Sequence, residues 1–198
     1  MYSQAEENYL KTIYTLEKDF GNEVSTNLIA GKIKTKASSV TDMLKKLAHK
    51  ELVVYKKYQG VYLTELGRLS ALKVIRKHRL WECFLVQKLQ FNWDEVHDIA
   101  EQLEHVKSEA LINKLDAFLK FPKLDPHGDP IPDAHGRTIL NKSISISDMK
   151  IGAAGVFVGV RDSSATFLKY SSYHIETKTH RLVITSNVAD NLFLKNVK

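Results

Sequence analysis

Three shortages bound this chain before any motif is read. Cys83 is the only cysteine in 198 residues, which excludes a disulfide framework and a cysteine-based zinc site and fits a reducing compartment. No apolar run approaches the roughly 18 residues of a membrane-crossing helix, and the start, MYSQAEENYLK, is too polar and acidic for a signal peptide. No nucleophile elbow, P-loop or dinucleotide fingerprint is present. All four prolines crowd into FPKLDPHGDPIPDAHG, residues 121–136, marking that stretch as a loop. The expectation is a cytoplasmic protein with no membrane partner and no enzymatic activity.

What is present is unevenly charged. The formal net charge is +6, yet residues 1–75 carry 12 Lys/Arg against 8 Asp/Glu, whereas residues 80–119 carry 3 against 8. A basic part followed by an acidic one suits a protein that binds phosphate with the first and cations with the second. The 43% hydrophobic content is enough for one or two cores and a small module.

Apolar periodicity predicts amphipathic helices over 4–18, 25–32 and 37–50, the last with Val40, Met43, Leu44 and Leu47 on one face. LVVYKKYQGVYLT predicts a hairpin turning at Lys57–Gly60, after which Thr64 caps a long helix over about 65–90. Helices over about 93–105 and 108–119 follow. From about 144 the pattern becomes β-branched and alternating, with IGAAGVFVGV and HRLVIT as strands. The fold class is mainly α with small β parts.

Helix, helix, turn, helix, hairpin is the order of a winged helix-turn-helix. The third helix would enter the major groove of double-stranded DNA. Ser38, Ser39, Thr41 and Asp42 near its start can approach base edges, while Lys36, Lys45 and Lys46 suit phosphates. Lys57 and Tyr58, with Lys56, would form the wing tip that grips the backbone.

The acidic middle holds a second signal. In HDIAEQLEH, residues 97–105, His97, Glu101, Glu104 and His105 fall within roughly 100° of arc on a helix. His78 and Glu82 form an i, i+4 pair upstream. Two His/carboxylate sets on neighbouring helices suggest a divalent-metal site built between them. A solvated charged face is the plain alternative for such a stripe. His127 in PHG reads as an organiser of the proline-rich loop, and Cys83 as a core residue.

These residues, with NYLKTIYTL, SSVTDMLKKL, GVYLTELG, RKHRLWECFLV, EVHDIAEQLEH and FPKLDPHGDPIP, resemble the metal-dependent repressors of the DtxR/MntR family over about residues 5–135. The resemblance implies an N-terminal winged helix (1–72), a helical dimerisation and metal-binding domain (73–140) and a C-terminal SH3-like β module (144–198). It implies a regulatory metal set at Asn8, Glu101, Glu104 and His105, and an ancillary set at His78, Glu82 and His97, with Asp162 as a further oxygen ligand. Two departures stand out. The position of Asn8 usually holds Asp or Met, and an amide is a weaker, neutral ligand. The C-terminal part reads as short, with a strand or two lacking around Tyr170–Arg181. Iron-responsive relatives often carry Cys where this chain has Glu101. An oxygen-rich set with one imidazole suits six-coordinate Mn²⁺, with Fe²⁺ the alternative. The implied protein is a homodimeric repressor of metal homeostasis, activated by Mn²⁺ or Fe²⁺ and reading a palindromic operator. Leu80, Phe84, Leu85 and Leu89 are expected in its dimer interface. The competing readings are a metal-dependent hydrolase and a metal-independent architectural DNA binder.

Overall fold

The computed structural model describes residues 2–21, 23–57, 59–92, 95–138, 143–150, 153–160, 172–176, 181–185, 189 and 192–196. Helix α1 (Gln4–Phe20) begins in a capping box: Ser3 Oγ accepts the Glu6 N–H at 3.3 Å and Glu6 Oε2 accepts the Ser3 N–H at 2.9 Å. Helix α2 (Thr26–Ile33) is capped by Ser25 and ends in a left-handed Lys34, which turns the chain into α3 (Ala37–His49). Strands β1 (Val53–Lys56) and β2 (Gly60–Leu63) pair antiparallel, with Val53 opposite Leu63 and Lys56 opposite Gly60. Val24 bridges to Val61, tying the approach to α2 onto the hairpin. Leu10, Ile13, Val24, Ile29, Val40, Leu44, Leu47, Leu52 and Val61, all fully buried, make one core under these elements. The apolar stripe predicted for α3 is the one that is buried, apart from a half-buried Met43.

Helix α4 (Glu65–Leu89) is 25 residues long, about 37 Å at 1.5 Å per residue. It is the common wall of three apolar clusters. Ala71 belongs to the first core, Leu80 and Cys83 pack with Ile112, Leu115 and Leu119 from α6 (Glu109–Phe118) and its end, and Leu85 packs with Val96 and Ala100 of α5 (Val96–Leu103). Leu80 and Leu85 are therefore committed to their own chain's core, 0% and 3% exposed, and are not free for a dimer interface. Phe84 is half-buried, and the apolar side chains left outward on and beside α4 and α6 include Leu66, Leu69, Leu89, Leu111, Phe118 and Phe121. Periodicity marks which residues are apolar but not which of two neighbours a long helix will bury them against.

Among the described residues the C-terminal strands form two sheets: β3 (Ser143–Ser145), β7 (Leu192–Asn196) and β4 (Gly155–Val160) in the order β3-β7-β4, and β5 (Ser172–Glu176) paired with β6 (Arg181–Thr185). Strand β5 lies in the stretch expected to lack one, and β4 begins at Gly155, later than IGAAGVFVGV implied.

The first core is locked to α4 at two points. Glu17, 6% exposed, accepts the Leu63 N–H and the Arg68 guanidinium, each at 2.6 Å, so one α1 carboxylate joins β2 and α4. Gly67 lies so close to β1 that an added Cβ would sit 1.8 Å from the Leu52 carbonyl oxygen, which already accepts the Thr64 N–H at 3.1 Å. Gly67→Ala should therefore force α4 off the hairpin. A loss of about 2–3 kcal/mol is expected, read as a lower denaturation midpoint with an unchanged denaturant slope.

Glu6 is 1% exposed, so burial raises its carboxyl pKa, but Lys50 Nζ at 2.6 Å, the Ser3 N–H and Lys46 Nζ at 3.1 Å outweigh burial and hold it at about 2. A carboxyl depressed on folding contributes stability that is present above its unfolded value and disappears as pH falls toward 2. Chemical denaturation from pH 5 to about 2.5 should show this loss, and Glu6→Gln should flatten it.

Candidate metal centre

Helix α5 is shorter than the 93–105 expected: it ends at Leu103, with Glu104 as its C-cap. Glu104 keeps helical angles (φ −64°, ψ −16°) and donates its N–H to Ala100 O at 2.8 Å, but His105 lies beyond the helix. The four residues of HDIAEQLEH consequently divide. Glu101 and His97 face outward, with side chains 51% and 58% exposed, whereas Glu104 and His105 turn inward at 1% and 8%.

Glu104 is held between α1 and α4. Lys11 Nζ donates to both its oxygens at 2.8 Å and reaches Glu101 Oε1 at 3.4 Å. His78 Nδ1 lies 2.6 Å from Glu104 Oε2, and His78 Nε2 lies 3.0 Å from Glu82 Oε1. An imidazole with a carboxylate at each nitrogen donates at both only as the imidazolium. Burial lowers the His78 pKa, but the two carboxylates reverse this and raise it. Burial likewise pushes Glu104 and Glu82 up, and their cationic and imidazole partners bring both below the ordinary carboxylate range. His105 Nδ1 contacts Glu7 Oε2 at 2.6 Å, a second tie between α1 and the end of α5.

Among the described residues, two trios bring one ligand atom each to within 4.8 Å of one another: His78, Glu82 and His97, and Glu82, Asp125 and His127. The His78 and His97 rings meet edge-on with centroids 4.9 Å apart. Two imidazoles with a carboxylate, or one imidazole with two carboxylates, form donor sets that fit a divalent transition metal. The second trio arises because the proline-rich loop folds back on α4. Arg79 draws the loop in through Asp125 and Asp129, each at 3.2 Å, and through Pro130 O at 2.6 Å. Burial pushes the Asp125 carboxyl up to about 6 despite Arg79, and Glu82 and Asp129 add to the rise. Burial likewise pushes the Cys83 thiol up to about 12, and its sulfur lies 3.6 Å from Leu124 O, as a core cysteine should.

Asn8, Glu101, Glu104 and His105 do not close into such a trio. Asn8 is exposed and shares a cavity of about 450 Å³ with Gln4, Asp98, Glu101, Gln102 and His105, while Glu104 lies buried against Lys11, His78 and, at 3.7 Å, His105. Sequence reasoning missed Lys11, Glu7 and Asp125, and set His127 aside. Lys11 and Glu7 are i, i+4 neighbours on α1 beside Asn8, a spacing that could have flagged them. Nothing local to Asp125 and His127 announces that their loop returns to Glu82.

Of the expected DNA contacts, Lys36, Ser38, Ser39, Asp42 and Lys45 are exposed on α3 and its approach, and Lys57 is exposed at the hairpin. Thr41 is half-buried and returns its hydroxyl to Ala37 O at 3.0 Å. Asp42 and Lys45 face each other at 3.7 Å. Lys46 is already paired with Glu6, so it meets a phosphate only in competition with that carboxylate. Tyr58 and Asp162 lie outside the described residues.

Residues 1–61 match the family described as "Iron dependent repressor, N-terminal DNA binding domain", and residues 64–133 match "Iron dependent repressor, metal binding and dimerisation domain". The chain is 36% identical over 126 residues to the iron-dependent repressor IdeR of Mycobacterium bovis, a match covering 64% of this chain and 54% of that protein. It thus spans about half the length of that curated relative. It is 35% identical over 118 residues to an uncharacterized HTH-type transcriptional regulator of Methanocaldococcus jannaschii, covering 60% of this chain and 94% of that one. Among solved structures, a manganese-dependent transcriptional repressor in complex with manganese superposes with a TM-score of 0.83 at 32% identity, covering 97% of this chain and 100% of that one.

Glu104→Ala would leave Lys11 and His78 facing a gap. A loss of about 3 kcal/mol is expected, against less than about 0.5 kcal/mol for the exposed Glu101→Ala. Thermal melts of the two variants should separate accordingly.

Proposed function

The chain belongs to the DtxR/MntR family of metal-dependent repressors, and from that premise we propose that it is a metal-activated DNA-binding regulator that represses genes of metal-ion homeostasis. The observation that carries the reading is the position of the His/carboxylate cluster. It lies on the seam where α1, part of the winged-helix core, meets α4 and α5.

Two sets of residues would hold the ions. His78, Glu82 and His97 supply one, extended by Asp125 and His127 through the shared Glu82, with Asp162 as a further oxygen ligand. Asn8, Glu101, Glu104 and His105 supply the other, with Asn8 donating its amide oxygen. Mn²⁺ is the proposed activator and Fe²⁺ the alternative, since the donors are mostly oxygen with imidazole and include no thiolate. Bound there, such an ion supplies the positive charge that lets ligands from two helices share one centre. The protein's own part is to place Asn8 on α1 against Glu101 and His105, so that the angle between reading head and core is fixed. A head already ordered loses less freedom on meeting DNA, and a coupling of about 1–3 kcal/mol is typical. Lys36, Lys45 and Lys57 would contact phosphates and Ser38, Ser39 and Asp42 base edges.

A two-fold dimer presents two α3 helices to two half-sites, hence a palindromic operator. Its interface is proposed on the outward apolar side chains of α4 and α6, Leu89, Leu111 and Phe118 among them. The C-terminal strands are proposed as an SH3-like module. No described helix is long and apolar enough to cross a membrane, and a cytoplasmic location is proposed.

The test is binding to DNA from the protein's own upstream region, titrated with Mn²⁺, Fe²⁺ and Zn²⁺ against a chelator. Tighter binding with metal is expected, by about 5- to 150-fold. Glu101→Ala and His97→Ala, both exposed and so harmless to the fold, should lose most of that gain. DNA affinity indifferent to the chelator would leave the architectural reading standing instead.

A further inference from the structure

The most unusual charge in the cluster is an ammonium. Lys11 Nζ lies between the two carboxylates proposed as ligands of the regulatory set, 2.8 Å from both oxygens of Glu104 and 3.4 Å from Glu101 Oε1. Its side chain is 20% exposed, enclosed by the seam but with a way out to solvent. Glu104 is fully buried, and the groups that face it are the Lys11 ammonium, the His78 imidazole and, at 3.7 Å, the His105 imidazole. Lys11 comes from α1 and Glu104 from the end of α5, so this ion pair spans the same two elements that a metal at Asn8, Glu101, Glu104 and His105 would join.

We propose that Lys11 is a tethered competitor of the activating metal: its ammonium holds the Glu101–Glu104 carboxylate pair in the metal-free protein and must be displaced before a divalent cation can use Glu104. The inference rests on the proposed regulatory set. A cation bonded to both oxygens of a carboxylate fills the space any second cation would need there. Like charges at such range in a half-buried site repel strongly. The displaced ammonium moves into solvent, which its partial exposure permits. Lys11 thereby acts as a positioning and affinity-setting residue. It weakens binding, raises the metal concentration at which the protein switches, and keeps the buried Glu104 neutralised meanwhile.

The test is a Mn²⁺ titration of the purified full chain without DNA, with free ion read by electron paramagnetic resonance. Lys11→Gln keeps a donor for Glu104 but removes the charge. Lys11→Arg keeps the charge. Circular dichroism confirms that both fold, and adding Glu101→Ala to each protein marks the ions held by this set. Lys11→Gln should bind that Mn²⁺ on the order of tenfold more tightly than wild type, and Lys11→Arg should not. A lysine with a merely structural role would leave this affinity unmoved. Equal or weaker binding by Lys11→Gln, while wild type binds and Glu101→Ala weakens it, overturns the competitor role alone. No Glu101-dependent binding in any of the proteins overturns the regulatory set and this inference with it.

Discussion

The imidazole of His78, held between Glu82 and Glu104, is the contact on which the middle of the molecule depends. Two carboxylates are buried on either side of one ring, at 3.0 and 2.6 Å. Buried charge is tolerated only when opposite charge is brought to it. That demand recruits Lys11 from α1 to Glu104 and sets His97 of α5 beside Glu82 at 3.4 Å. The loop after α6 adds His127 at 3.7 Å from the same Glu82 oxygen. Elements from three parts of the sequence are thus assembled around one ring of α4. The apolar clusters set how close they come, and the charges set which residues face one another.

The winged-helix unit is coupled to this arrangement through α1. One face of that helix supplies Leu10 and Ile13 to the winged-helix core, while Glu7 and Lys11 reach the end of α5. The same helix therefore belongs to the winged-helix core and to the charged seam. Glu17, near its far end, ties it to β2 and α4. A change of charge at the seam acts on a rigid element fixed at both ends, and a rod transmits a tilt where a loop would absorb it.

Much of this was legible in the sequence, because the strongest signals were local. The period of Val40, Leu44 and Leu47 gave α3, and the turn residues between β-rich runs gave the hairpin. The i, i+4 spacing of His78 and Glu82 placed two ligand candidates on one helical face, and the structure brings His97, which the resemblance grouped with them, within 4.8 Å of both. What escaped were contacts far apart in the chain. The loop carrying Asp125 and His127 returns to Glu82 because Arg79 anchors it, which no spacing records. The helix ending at Leu103 split a face that 3.6-residue periodicity had joined. Lys11 was overlooked because a lysine on an amphipathic helix ordinarily faces water; only the fold reveals a buried carboxylate opposite it.

Glu82 belongs to both trios and has one carboxylate to give. Under the proposed function, ions at the two trios could not be taken up as independent events. An oxygen committed on one side shifts the donor strength and reach left for the other. Occupancy of one trio would then change the affinity of the other by a factor that is the same whichever ion enters first. The loop bearing Asp125, held to α4 by Arg79, would feel that coupling through the single carboxylate of Glu82.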